Sequence, residues 1–401
     1  MRHVMTARRT VCLLLLSIVA CGGLLGGIVY GDDVEKAPKN DWPNFRNGLE
    51  QRGIATTTLP EKPELLWKHE AGEMVTATAA IVDGFVYIGT LKGEVLCLDL
   101  KNGERIWTYR SIESDDPEEF APGFNAAATV SGDTVYIGDE EGVFHAINRQ
   151  DGKARWKFQT KDQIVGAAAV VGEHVIVGSH DQALYCLKTA TGEKVWEVVT
   201  EGPVNCSVAV EGNSTFTTGC DGLLRVIDIT TGKENIELQQ QVGSYVIASP
   251  AVMGDLLYVG NHDAEFWAVD WKNGKHLWTY KAERRHYPFH SSAAVTKDLV
   301  VVGNGDKRLH CIDRATGKGR WMFDTRGAVD GSPVVVGDRV FFGSGDGKLY
   351  GVNLADGKEV FRFVGGRPFS ASPAVGEGCL VIGSESSKGY IYCFGKKPAD
   401  Q

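Results

Sequence analysis

Hydrophobic and polar residues alternate in short runs along most of this 401-residue chain. A run of the form Val-Tyr-Ile-Gly, as at residues 86–89, returns at intervals of 40 to 49 residues. Such alternation predicts half-buried β-strands, and no helical period of about 3.6 residues is evident beyond residue 30. The glycines that end these runs are Gly89, Gly138, Gly178, Gly219, Gly260, Gly303, Gly343 and Gly383.

Each run belongs to a larger repeat. A second alternating strand follows it, then a turn with glycine, then a large apolar residue three or four positions later. These large residues are Trp107, Trp156, Trp196, Ile236, Trp278, Trp321 and Phe361. A further strand opens each repeat, as in Ala-Ser-Pro-Ala-Val at residues 248–252. Four short strands per repeat, separated by glycine turns, predict an all-β β-propeller with four-stranded antiparallel blades.

The number of repeats predicts how the ring closes. There are eight glycine-ended runs, but the chain stops soon after residues 392–395 without an outer strand for the last repeat. Trp67 lies 40 residues before Trp107, in phase with the series. We therefore expect eight blades over residues 64–395, with the segment around Trp67 as the outer strand of the eighth, which removes an open sheet edge. A leader at 32–63 and a polar tail at 396–401 flank the ring.

The turns resemble those of the pyrroloquinoline-quinone (PQQ) repeat family, in which a Thr-Gly-Lys-x-x-Trp turn docks its tryptophan between neighbouring blades. Residues 316–321 and 191–196 fit that pattern well. The resemblance implies a structural docking role for Trp67, Trp107, Trp156, Trp196, Trp278 and Trp321. It departs at Ile236 and Phe361, where we expect less tightly wedged junctions.

The N-terminus is predicted to be a targeting segment. Arg2, Arg8 and Arg9 precede an apolar run at residues 11–30. Cleavage near Gly31 would release a soluble protein, whereas retention of the run would make residues 1–31 a membrane anchor. Residues 18–21 also resemble a bacterial lipobox, with Cys21 as the candidate lipidated residue. All three outcomes place the folded part outside the cytoplasm, in the periplasm or cell envelope, and we favour a membrane tether.

Charge and cysteine content narrow the class of partner. A net charge of −9 argues against nucleic acid, which rewards clustered Lys and Arg. Four cysteines occupy one repeat position in different blades, too far apart for disulfides: Cys97, Cys186, Cys311 and Cys393. Cys206 and Cys220 share a blade and form the one candidate bridge. No His or Cys spacing is typical of zinc, and we expect no metal site.

Topology predicts where a binding site lies. The loops between blades and the turns between second and third strands share one face, here called face X; the opposite face is face Y. We expect function on face X, where loops vary around the central channel. Its first inter-blade loop, the acidic loop, carries Glu113, Asp115, Asp116, Glu118 and Glu119, followed by Phe120 and Phe124. Later loops contribute a basic crescent of Arg284, Arg285, His286, Tyr287, Phe289, Arg326, Arg367 and Tyr245, with Phe369 close to it.

Loops four blades apart oppose each other in an eight-membered ring, so the acidic loop is predicted to face the crescent. Such a surface suits an acidic peptide or another anionic ligand; ordinary solvated loops are the alternative. The turns on face X also carry Asp181, Asp221, Asp263, Asp306 and Asp346. Calcium needs about six to eight oxygen ligands, so we interpret these single aspartates as turn-forming residues.

Resemblance supplies two functional hypotheses. Quinoprotein alcohol dehydrogenases of the PQQ-repeat family hold PQQ and calcium in the central channel. The resemblance would make Asp330 the catalytic base and Arg326 or Arg367 the basic residue that holds the ligand. The adjacent Cys-Cys pair that is characteristic of these enzymes is absent from this sequence. The chain is also similar in size to the propeller lipoprotein of the outer-membrane barrel-assembly machine, a scaffold without quinone. Residues 41–48 resemble the Trp-Pro-x-x-Arg-Gly leader of secreted planctomycete-type PQQ-like proteins, with Asn47 in place of glycine.

We favour the scaffold hypothesis: a non-catalytic, monomeric propeller that binds an envelope protein, takes no cofactor, and acts in outer-membrane protein assembly. The first alternative is a PQQ- and calcium-dependent dehydrogenase. The second is a propeller that binds carbohydrate or another polymer, suggested by the exposed aromatic residues alone.

Overall fold

A computed structural model of the protein describes residues 40–114, 116, 119–282 and 287–397. Within these residues, eight separate four-stranded antiparallel sheets form the blades of a propeller. The inner strands of neighbouring blades pack on one another, and those of the first and eighth blades meet to close the ring. The predicted fold class is confirmed.

The strands follow one another from the channel outward in each of the first seven blades. Blade one contains β2 (Ala80–Val82), β3 (Phe85–Gly89), β4 (Glu94–Asp99) and β5 (Arg105–Arg110). Blade two contains β6 (Thr129–Ser131), β7 (Thr134–Gly138), β8 (Val143–Asn148) and β9 (Ala154–Gln159). Blade three contains β10 (Ala169–Val171), β11 (His174–Ser179), β12 (Ala183–Lys188) and β13 (Lys194–Val199). Blade four contains β14 (Ala209–Glu211), β15 (Ser214–Thr217), β16 (Leu223–Asp228) and β17 (Gln240–Gln241).

The second half of the ring repeats this arrangement. Blade five contains β18 (Ala251–Met253), β19 (Leu256–Gly260), β20 (Glu265–Asp270) and β21 (Lys275–Lys281). Blade six contains β22 (Ala294–Val295), β23 (Leu299–Asn304), β24 (Arg308–Asp313) and β25 (Gly319–Asp324). Blade seven contains β26 (Val334–Val336), β27 (Arg339–Ser344), β28 (Lys348–Asn353) and β29 (Glu359–Val364). Blade eight contains β30 (Ala374–Gly376), β31 (Cys379–Ser384), β32 (Tyr390–Gly395) and β1 (Glu64–Glu70).

The N-terminal strand closes the ring as predicted. β1 pairs antiparallel with β32, with Trp67 opposite Cys393. The last blade is thus built from both ends of the described chain, and β32 gains a partner on the edge that it would otherwise expose.

The tryptophans join each blade to the next through two contacts. In each case the indole Nε1 donates a hydrogen bond of 2.7–3.0 Å to a backbone carbonyl of the following blade: Trp67 to Leu100, Trp107 to Arg149, Trp156 to Thr189, Trp196 to Ile229, Trp278 to Arg314 and Trp321 to Leu354. Each ring also covers the turn glycine of that blade; a Cβ on Gly192, for example, would lie 2.5 Å from Trp156. These contacts favour the structural docking role, which the substitution described in the Discussion tests.

Blade four shows what the repeat loses without its tryptophan. Ile236 is 66% exposed, and the outer strand is reduced to a short 3-10 helix (Ile236–Leu238) and the two residues of β17. A branched aliphatic side chain cannot donate to the next blade; Gln240 Nε2 instead donates to the carbonyl of the turn glycine Gly274 at 2.8 Å. Phe361 instead packs against Phe341 and Phe394 at the seam with blade eight.

The leader takes a course that the sequence did not predict. From residue 40 onward it runs across the face Y end of the ring and accepts backbone hydrogen bonds from the inner strands: Ile81 to Trp42, Val130 to Pro43, Val210 to Leu49, Val252 to Glu50, Val295 to Arg52, Val335 to Gly53 and Glu377 to Asn40. The inner edges of propeller blades have unpaired N–H groups, and the leader carbonyls satisfy them. Trp42, Arg46 and Gln51 are fully buried by this arrangement.

Two further features bear on the predictions. Within the described part of the chain, no helix is both long and apolar enough to cross a bilayer; residues 1–31, including Cys21, lie outside it. Cys206 and Cys220 are both free, so the candidate bridge does not form. Cys206 is buried beside the Thr217 hydroxyl, whereas the Cys220 sulfur accepts a hydrogen bond from Asn205.

Candidate functional site

One repeated hydrogen bond builds face X. In every blade, a backbone N–H in the turn after the second strand donates to a carbonyl 17 residues earlier, in the preceding inter-blade loop: Leu91 to Met74, Glu140 to Gly123, His180 to Gln163, Cys220 to Pro203, His262 to Tyr245, Gly305 to Pro288, Gly345 to Ala328 and Glu385 to Pro368. The inter-blade loops and the turns after the second strands therefore share a face, as the topology predicted, and each inter-blade loop is hydrogen-bonded to one of these turns.

The turn aspartates strengthen the same contacts. Four of them accept a backbone N–H from the preceding loop at 2.8–3.2 Å: Asp181 from Lys161, Asp221 from Glu201, Asp263 from Ser244 and Asp346 from Arg326. Asp306 is buried and bonds the imidazole of His310. These hydrogen bonds favour the interpretation of the aspartates as turn-forming residues. Among the described residues, no group of three or more His, Cys, Asp or Glu could hold a metal ion.

Arg110 contacts the described part of the acidic loop. The Arg110 guanidinium donates to the carbonyl oxygens of Ser114, Asp116 and Glu119 at 2.5–2.9 Å. The side chains of Glu113, Asp116 and Glu119 are exposed, while Asp115 and Glu118 lie outside the described residues. Phe120, which follows, is 75% exposed. A large exposed aromatic ring thus follows exposed carboxylates in the sequence, and Arg110 bonds the backbone at Ser114, Asp116 and Glu119.

Only part of the basic crescent falls within the described residues; Arg284, Arg285 and His286 do not. Arg326 and Arg367 are exposed on successive loops, and Tyr287 is 46% exposed. Tyr245 packs edge-on against His262, with ring centroids 4.6 Å apart. The role of the basic crescent in binding therefore stays a prediction.

Phe289 does not belong to the binding surface, and that part of the prediction is wrong. Its side chain is fully buried, as are those of Phe124 and Phe369. All three occupy one repeat position, where the side chain lies over the glycine that ends the second strand of the preceding blade; a Cβ on Gly260 would be 2.4 Å from Phe289. They fill the gap between blades, because the missing glycine side chain leaves room for them.

The central channel contains a polar cavity of about 180 Å³. Two layers of side chains line this cavity. On the chain segment that leads into an inner strand, the residue of the upper layer precedes that of the lower layer by two positions, because every second side chain of an extended segment points to the same side. The upper layer, toward face X, comprises Thr76, Asn125, Val165, Asn205, Ile247, His290, Asp330 and Ser370. The lower layer comprises Thr78, Ala127, Ser207, Ser249, Ser292, Ser332 and Ser372, and Phe45 of the leader also lines the cavity.

Five serines of the lower layer link six blades, from blade three to blade eight. Each hydroxyl accepts the backbone N–H of the equivalent residue in the preceding blade at 2.8–2.9 Å: Ala167 to Ser207, Ser207 to Ser249, Ser249 to Ser292, Ser292 to Ser332 and Ser332 to Ser372. The recurrence of Ser in the Ala-Ser-Pro segments was the sequence signal for this chain of hydrogen bonds. Its main effect is to fix the channel wall.

Two histidines meet at the channel mouth. His262 Nε2 and His290 Nε2 lie 2.9 Å apart, on blades five and six, and we call them the histidine pair. Asp330 Oδ1 lies 3.6 Å from His290 Nδ1. Burial, and then the neighbouring His290, lower the pKa of His262. Among the described residues, Asp330 is within ion-pair distance of His290 but of neither Arg326 nor Arg367, so the proposed base-and-clamp pair is not assembled.

The channel lining is a poor match for PQQ. That cofactor carries three carboxylates, whereas the described residues around the cavity include the Asp330 carboxylate and no Lys or Arg. The cavity is also below the ~300–1,000 Å³ of typical ligand pockets. Calcium would meet one carboxylate there. No catalytic step through these groups follows from the geometry.

Comparison with known proteins places this geometry among PQQ-repeat propellers. The family described as "Outer membrane protein assembly factor BamB" matches residues 110–206, 140–292 and 284–393, more than half of the chain. The BamB of Xanthomonas campestris is 29% identical over 112 residues, 26% of this chain and 28% of that protein. The quinoprotein ethanol dehydrogenase of Pseudomonas aeruginosa is 32% identical over 88 residues, 22% of this chain and 14% of that enzyme.

These matches cover well under a third of either relative. Among solved structures, the quinohemoprotein alcohol dehydrogenase of Comamonas testosteroni superposes with a TM-score of 0.75 at 16% identity, covering 92% of this chain and 82% of that one. At that identity the superposition establishes the fold and leaves the chemistry open.

Proposed function

The chain belongs to the family described as "Outer membrane protein assembly factor BamB", and on that premise we propose that it is a non-catalytic, exported scaffold that binds an envelope protein through face X. A tether through residues 1–31 is part of this proposal. The name of the family describes its members as assembly factors, which favours a role in outer-membrane protein assembly for this chain as well.

The observation that carries the proposal is the presentation of Phe120. The Phe120 side chain is 75% exposed, so a partner that covers it would bury a large apolar area. Arg110 bonds the carbonyl oxygens of Ser114, Asp116 and Glu119, and holding these points before association reduces the conformational entropy that binding costs. Aromatic side chains presented in this way are typical anchors of protein interfaces. The carboxylates around Phe120 favour a partner surface with basic residues at its rim.

A gene deletion in the source organism tests the assembly role. We expect reduced amounts of outer-membrane β-barrel proteins, measured by quantitative proteomics of the outer membrane, and restoration by the wild-type chain. Phe120→Ala should restore less at equal abundance. Ile106→Ala is the matched control, because Ile106 is also an exposed apolar residue (50%) but lies on the outer strand β5. Unchanged barrel proteins in the deletion strain would contradict the role in assembly.

The similarity to quinoprotein ethanol dehydrogenase favours one second candidate, a PQQ- and calcium-dependent oxidation. The purified protein is mixed with PQQ and calcium, and both the absorbance spectrum and the reduction of a dye in the presence of an alcohol are followed. Turnover above the protein-free control would overturn the non-catalytic assignment. We expect none, because the described channel lining offers no cation for the carboxylates of the quinone.

A further inference from the structure

The histidine pair is held by the backbone on both sides. His262 donates its N–H to the Tyr245 carbonyl, and Phe289, next to His290, donates its N–H to the Asn261 carbonyl, each at 3.0 Å. Phe289 is buried between blades five and six. The two imidazoles are therefore brought together by the docking of two blades and do not depend on a chance rotamer of a free loop.

Two Nε2 atoms aimed at each other suit a metal ion. One neutral imidazole can donate to the other, but a divalent ion uses the lone pairs of both. In tetrahedral coordination at ~2.0–2.1 Å, two nitrogen ligands lie about 3.3 Å apart. The observed separation of 2.9 Å reaches that value with a small rotation of either ring. Imidazole prefers zinc, copper and nickel over calcium.

The surroundings complete the arrangement expected of such a site. Asp330 lies behind His290, 3.6 Å from Nδ1, where a carboxylate orients a metal-binding imidazole and raises its basicity. The side chains of His290 and Asp330 are 33% and 43% exposed, so solvent reaches the site. The described residues contain no group of three metal ligands, and water or a donor from a bound molecule would fill the remaining positions.

We propose that His262 and His290 bind one divalent transition-metal ion of the zinc class at the face X mouth of the channel. This site is distinct from the Phe120 surface and stands whether or not that surface binds a protein. Blade three provides an internal comparison. His180 occupies the equivalent turn position, but Asn205 stands where blade six has His290, and the His180 ring is hydrogen-bonded to Gln163 at 3.0 Å.

Calorimetric titration of the full chain, free of any histidine tag, with Zn²⁺ tests the proposal. We expect one saturable site per chain. His262→Ala and His290→Ala should each abolish it, Asp330→Asn should weaken it about tenfold, and His180→Ala, the matched control, should bind as the wild type does. Wild-type binding by the His262 and His290 variants, or an equal loss in His180→Ala, would overturn the site.

A second measurement guards against misfolded variants. Cu²⁺ bound to the wild-type chain should show hyperfine coupling to two imidazole nitrogens in electron paramagnetic resonance, and His262→Gln should reduce this to one. Absence of any imidazole coupling in the folded wild-type protein would show that the two rings only share a proton, and the proposal would fail.

Discussion

At the scale of single residues, polar side chains buried between strands determine how the protein tolerates acid. His145 is fully buried in blade two; it bonds the Tyr109 hydroxyl at 2.8 Å and Asp139 at 2.9 Å. Blade six repeats the arrangement with Tyr280, His310 and Asp306. Burial lowers the pKa of His145, against the opposing effect of Asp139.

The sign of the pH dependence follows from this shift. An unfolded histidine takes up a proton near pH 6.5, whereas buried His145 resists protonation, so the unfolded state binds more protons in acid and stability falls as the pH drops below about 6.5. We predict a larger loss of urea midpoint between pH 7.5 and pH 5.5 for the wild type than for His145→Gln. Equal losses in the two proteins would contradict the prediction. The comparison of the two proteins removes the contribution of other groups that titrate in this range, such as Asp41, whose pKa is raised to about 6 by burial and nearby carboxylates.

The docking tryptophans give a second prediction at this scale. Trp156→Ala removes both the hydrogen bond to Thr189 and the cover over Gly192, and should lower the free energy of unfolding by about 3 kcal/mol. Ile236→Ala, at the same repeat position, is the control and should change it by less than about 0.5 kcal/mol, because Ile236 is largely exposed. Denaturant unfolding measures both, and similar losses would contradict the docking role.

At the scale of elements, the two ends of the chain determine whether the blades can close. β1 completes blade eight, and the leader satisfies the inner strands of seven blades at face Y. β1 pairs with a strand at the other end of the chain. The leader consists of turns and isolated bridges, and its hydrogen-bond partners on the inner strands also lie far away in sequence. Both are therefore long-range additions to an otherwise local repeat.

Deletion of residues 33–70 should remove both contributions. We predict a protein that aggregates or melts far below the full chain, because the outer edge of β32 and the inner strand edges lose their partners. Circular dichroism melting and light scattering measure the two effects. A truncated protein that stays monomeric and melts like the full chain would show that the ring closes without β1.

At the scale of the whole molecule, the eight blades are expected to unfold together. Six blades are docked to the next by a tryptophan, six are linked by the serine chain, and the leader contacts most of the ring. A closed ring also lacks the free ends from which a linear repeat array unravels.

Calorimetry tests this cooperativity. Trp156→Ala in blade two and Trp321→Ala in blade six lie on opposite sides of the ring, and both should shift the same single transition to lower temperature. A separate low-temperature transition in either variant would mean that half of the ring unfolds independently.

The eight blades, the closing strand and the repeat position of the tryptophans were predictable from the amino-acid sequence. These features repeat with one period, and each copy packs against a neighbour of the same pattern, so a local rule applied eight times gives the ring. It also located face X and its exposed residues Tyr287, Arg326 and Arg367, although their role in binding stays a prediction.

Other features depend on how the blades pack together. Phe289 and His290 are adjacent, so their side chains point to opposite sides of an extended segment; the packing of blade six against blade five places Phe289 in the gap between blades and His290 on the channel. The meeting of His262 with His290 has the same origin, because the residues come from different blades. The leader carries no repeat, and its course is set by inner strand edges that exist only once the ring has formed.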